Sequence, residues 1–91
     1  ILKLFLRDSS ELLTKIRQNK ENNHMKELFF NIHAMKGIAG NIGAKRFYEY
    51  MVTIMLSLKE GELLEDQEWL NKLESFYEEL IGEIKLVITM N

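Results

Sequence analysis

The 91-residue chain has no cysteine and no proline. The first absence excludes disulfide frameworks, thiolate zinc sites and cysteine nucleophiles. The second, together with a total of only five glycines, leaves little punctuation for a loop-rich or all-β chain. An excess of one charge is missing too. Twelve Lys plus Arg face fourteen Asp plus Glu, a formal net charge of -2, and no Lys/Arg run occurs. Binding of nucleic acid by bulk or local charge is therefore not expected. No stretch approaches the roughly 18 uncharged apolar residues of a membrane span. The segment Ile1 to Leu6 is short and broken by Lys3, unlike a signal peptide. These features lead to the expectation of a cytoplasmic segment without membrane contact. What the chain does have is apolar residues, 46% of the total, too many for a disordered chain at this net charge. Its length suits one small domain, 1–91. Ile1 in place of an initiator methionine suggests a segment cut from a longer protein.

The apolar residues recur at helical spacing in four segments, about 1–19, 23–40, 43–60 and 66–90. The inward stripes are Leu2, Phe5, Leu6, Leu12, Leu13 and Ile16, then Met25, Leu28, Phe29, Ile32 and Ala39. The third is Ala44, Phe47, Met51, Ile54, Met55 and Leu58. The fourth is Trp69, Leu73, Phe76, Leu80, Ile84 and Val87 or Ile88. Asn22 or Asn23 is the expected N-cap of the second helix. The run Gly40-Asn41-Ile42-Gly43 favours a bend, and Gly61 is a natural helix stop. Short connections force each helix onto its predecessor. The expected fold is all-α, an antiparallel up-down four-helix bundle.

One constellation is not explained by core packing. With His33 at zero on a helical wheel, Gly37 lies at about +40° and Gly40 at about -20°. Lys36 lies at about -60°, Phe29 at about -40° and Phe30 at about +60°. His33 thus projects from a face with little side chain above it and a lysine beside it. Its neighbour Ile32 is a core candidate, which puts His33 at the edge of the buried stripe. Glycine in a helix interior costs about 1 kcal/mol relative to alanine. Two readings of Gly37 stand level at this point: close approach by a partner, or tight packing by a neighbouring helix. An imidazole near neutral pH is largely uncharged and can act as a nucleophile. A neighbouring lysine stabilises the negative charge of any phosphoryl group the ring acquires.

The segment from His33 to Ala44 resembles the signature of histidine-containing phosphotransfer (HPt) domains. There a His-x-x-Lys-Gly element is followed by a small-residue turn and a Gly-Ala entry into the next helix. Leu2 to Ile16 resembles the usual first helix, and Leu58-Lys59-Glu60-Gly61 the usual end of the third. The resemblance implies a carrier in a multistep two-component phosphorelay. His33 would take a phosphoryl group on Nε2 from one receiver-domain aspartate and pass it to another. Lys36 would stabilise the phosphate, and Gly37 would be the gap through which a receiver closes on the ring. Phe29, Phe30, Ile38, Phe47 and Tyr48 are candidates for the docking surface. Lys45 and Arg46 are either docking cations or, more in keeping with their type, solvated. No cofactor is implied for this chain, since Mg²⁺ is expected on the partner receiver. Nor is kinase activity of its own implied; the parent would be a hybrid sensor kinase or a separate relay protein, and a monomer is favoured. One departure stands out: many relatives carry a Leu-Glu pair late in the third helix, where this chain has Ile54-Met55, a change expected to affect packing or partner choice.

Two alternatives use the same residues. One is a helical interaction domain with an inert His33. The other is the phosphotransfer domain of a chemotaxis-type kinase. Glu21 and His24 have Glu-x-x-His spacing, but a di-metal bundle needs two such motifs and more carboxylates, so no metal site is expected. His24 lies about 180° from His33 on the wheel and cannot share its site.

Overall fold

The computed structural model describes residues 1–61 and 68–90. These form four helices: α1 (Leu2–Glu21), α2 (Met25–Asn41), α3 (Lys45–Lys59) and α4 (Glu68–Thr89). Three-residue connections reverse the chain between α1 and α2 and between α2 and α3. Cross-bundle contacts set the direction of α4. Arg17 pairs with Glu74 and Ser9 with Tyr77, while Arg46 pairs with Glu79 and Tyr50 reaches Trp69. Residue numbers rise on one helix as they fall on the other, so α4 runs antiparallel to both α1 and α3. The result is an all-α, up-down four-helix bundle.

The core follows the apolar stripes. Ile16, Leu28, Ile32, Met35, Ala39, Met51 and Leu73 are sealed from water, and Phe5, Leu13, Phe47, Ile54, Trp69, Leu70 and Ile84 complete the cluster. Phe29, placed on the α2 stripe, is half-buried and lies outside the core cluster, and three further positions differ from expectation. Met35 and Leu70 are buried although the stripes omitted them, while Met25 is exposed. Met25 stands in the first turn of α2, whereas Met35 lies mid-helix on the face shared by Leu28, Ile32 and Ala39. On α4, Ile88 packs against the core and Val87 faces solvent.

The turns also differ in detail. His24, not an asparagine, is the N-cap residue of α2, and it makes no side-chain capping bond. Asn23 instead takes a positive φ of 56°, a conformation that asparagine tolerates better than most residues. The helix α2 runs on through Gly40 and Asn41, and the chain reverses at Ile42–Ala44, where Gly43 has φ +74°. Gly61 ends α3 as expected, with φ +78° and its N–H donating to the Leu58 carbonyl. The expected start of the fourth helix, about Asp66, lies outside the described residues.

Polar bonds bridge the helices where the core has polar atoms. Ser9 is fully buried; its hydroxyl donates to the Leu6 carbonyl and lies 2.8 Å from the Tyr77 hydroxyl. The Asn31 amide donates to Asn19 at 2.6 Å, tying α2 to α1. The ion pairs Arg17–Glu74 and Arg46–Glu79 are exposed and contribute about 1 kcal/mol at most.

Candidate functional site

His33 sits in the middle of α2. Leu28, Ile32, Met35 and Ala39 turn one face of that helix into the core, and this face is centred about 130° from His33 on the wheel. The anchoring of that face directs His33 outward, and the residue is exposed. Among the described residues, no side chain holds the ring by a hydrogen bond or an ion pair. The imidazole is therefore available at both nitrogens.

Gly37 lies one turn above His33. A Cβ built there would meet no atom within 4 Å. Tight packing of a neighbouring helix is thus not the reason for this glycine. Gly40 is different. A Cβ there would lie 3.3 Å and 3.4 Å from the ring edge of Tyr48, so the missing side chain lets the Tyr48 ring lie against α2. Lys36 is half-buried between His33 and this ring, with its Nζ 5.9 Å from the ring centroid. Among the described residues no carboxylate pairs with it.

The candidate docking residues separate into two groups. Phe30 is 63% exposed and Tyr48 37% exposed, while Phe29 and Ile38 are half-buried. Phe29 and Phe30 flank His33 one turn below it. Ile38 lies round the side towards α1, in a groove shared with Leu4, Asp8 and Asn41. Phe47 corrects the sequence-based expectation. It is 2% exposed and packs its ring 5.9 Å from that of Tyr77, so it belongs to the core and cannot touch a partner. On the outer side of α3, Arg46 pairs with Glu79 and stacks over Phe76. Lys45 lines a shallow depression with Gly40, Gly43, Ala44 and Tyr48.

Sequence reasoning missed two features. The first is Leu4, an exposed apolar residue beside Ile38; an apolar residue off the α1 stripe was the signal. The second is the contact between Gly40 and Tyr48, which joins residues on different helices. Ile54 is buried and Met55 half-buried against the core, so both positions serve packing. No group of three or more metal-ligating side chains occurs among the described residues. None of the described helices is long and apolar enough to cross a membrane.

A family model described as "Hpt domain" matches residues 1–83. No curated protein and no solved structure matches the chain.

Proposed function

The chain belongs to the Hpt domain family, and on that premise we propose that it is the phosphohistidine carrier of a multistep two-component phosphorelay, with His33 as phosphoacceptor. Hpt domains serve histidine phosphotransfer in phosphorelays and interact with response-regulator receivers. The observation that carries the assignment to His33 is its exposure beneath the open space at Gly37.

The chemistry then divides between two proteins. In the forward step the lone pair of the His33 Nε2 attacks the phosphorus of an aspartyl phosphate. The P–N bond forms as the P–O bond to the aspartate breaks, and the carboxylate leaves. The ring, now phosphorylated at Nε2 and still carrying Nδ1–H, is a cation, and it becomes neutral when the Nδ1 proton passes to water. The transfer runs in reverse onto the aspartate of a second receiver. Mg²⁺ on the receiver offsets most of the charge that develops on the phosphoryl oxygens, and Lys36 adds a cation from this side. Gly37 leaves room for the receiver's loops. Phe29, Phe30, Ile38 and Tyr48, joined by Leu4, form the apolar surround that a receiver covers. We place the domain in the cytoplasm, where such receivers work.

The test is transfer of label. Incubation with a receiver charged by acetyl phosphate and Mg²⁺ should give an acid-labile, base-stable phosphoryl label on this chain. His33→Gln should abolish it, at least 100-fold below wild type. A label that persists in His33→Gln would place the phosphoacceptor elsewhere.

A further inference from the structure

We propose that Tyr48 is a positioning residue for Lys36, holding its ammonium in reserve while His33 is unphosphorylated. The inference rests on the phosphocarrier reading and extends it to a residue outside the His-x-x-Lys-Gly motif. Side chains on an α-helix lean towards its N-terminus. By that rule Lys36 would lean back over His33, one turn below. Its ammonium instead lies 5.9 Å from the centroid of the Tyr48 ring, and that ring rests against Gly40, one turn in the opposite direction. No carboxylate among the described residues competes for the cation, so the π face of the ring is what holds it.

A cation over an exposed aromatic face gains a modest stabilisation, equivalent to about two- to fivefold in an equilibrium constant. A phosphoryl group on His33 offers the same ammonium a full negative charge. Lys36 then leaves the ring for the phosphoryl oxygens, because an ion pair with charge-assisted hydrogen bonds outweighs one exposed cation–π contact. The contact therefore favours the unphosphorylated carrier alone. It raises the tendency of the phosphohistidine to give up its phosphoryl group, without touching the reacting atoms.

The reaction to follow is the exchange in which the P–N bond to His33 breaks as a P–O bond to a receiver aspartate forms. A receiver domain charged with acetyl phosphate and Mg²⁺ is the probe, and the ratio of labelled carrier to labelled receiver at equilibrium is the readout. At concentrations where the complex does not accumulate, the ratio compares the separate proteins, so docking contacts of Tyr48 cancel. Tyr48→Leu should shift the ratio about two- to fivefold towards the carrier. Tyr48→Phe, which keeps the ring, should restore the wild-type ratio. In a Lys36→Gln background, Tyr48→Leu should have no effect. The upfield ring-current shift of the Lys36 ε-methylene protons should also disappear in Tyr48→Leu and on phosphorylation of the wild type. An unchanged ratio in Tyr48→Leu, an equal shift in the Lys36→Gln background, or a Tyr48→Phe variant that behaves like Leu would each overturn the proposal. Absence of any label on wild-type His33 would instead overturn the phosphocarrier reading, and this inference with it.

Discussion

At the scale of single residues, Gly37 permits the sharpest test, because stability and function should move in opposite directions. A methyl group there enters open space, and alanine is the better helix former by about 1 kcal/mol. Gly37→Ala should therefore raise the thermal midpoint by roughly 4–8 °C. It should also slow phosphoryl transfer by roughly ten- to hundredfold, since misplacing the reacting groups by about 1 Å has that effect. Calorimetry and single-turnover transfer on the same preparation check both. A destabilised variant, or one that transfers at the wild-type rate, would contradict the close-approach account. The exposure of His33 was legible in the sequence, because its position relative to Ile32 and the buried stripe follows from helical periodicity alone. The partnership of Lys36, Gly40 and Tyr48 was not. It depends on how α3 crosses α2, and a wheel drawn for one helix contains no information about its neighbour. Phe47 was misplaced for a different reason. Its spacing on the α3 stripe already marked it as core, and only the family resemblance put it among the docking candidates.

At the scale of helices, periodicity located all four elements to within a few residues over the described chain. Its errors gathered at the ends, where capping decides the outcome. Asparagine after α1 was read as a cap, but its side chain competes with its tolerance of positive φ, and Asn23 uses the latter. The junction of α3 and α4 holds a feature that pH should reveal. The Tyr50 hydroxyl donates to the Trp69 carbonyl at 3.0 Å, and its ring packs on Phe76. Burial, with the nearby Glu68 carboxylate as the lesser cause, raises the Tyr50 phenol above its ordinary value. A group with a raised pKa in the folded state binds its proton more tightly there. Its contribution is complete below the unfolded value of about 10 and is lost as pH climbs through the higher folded value. Tyr50→Phe should thus lower stability by about 1 kcal/mol at pH 7, the net worth of its hydrogen bond. The gap between variant and wild type should narrow above pH 10, as followed by denaturant titration. A gap that stays constant or widens with rising pH would refute this linkage.

At the scale of the whole molecule, the bundle is a rod of 44 × 21 × 20 Å, and its strength is uneven. The α2 helix packs closely on both α1 and α3, whereas α4 touches its neighbours more sparingly. The last turns of α4 carry Leu86 and Val87 into solvent, and Met90 just beyond them is exposed too. Local opening follows such differences in packing. Amide hydrogen exchange should therefore be slowest around Ile32, Met35 and Met51 and fastest after Leu86, with a spread of at least a hundredfold. Uniform protection along α4 would show that the bundle opens only as a unit. The phosphoacceptor stands on the best-packed helix, so the rod presents it without rearranging. It also presents it on one flank alone. Two receivers cannot occupy that flank together, so arrival and departure of the phosphoryl group must alternate, and a surplus of either idle partner makes the other wait its turn.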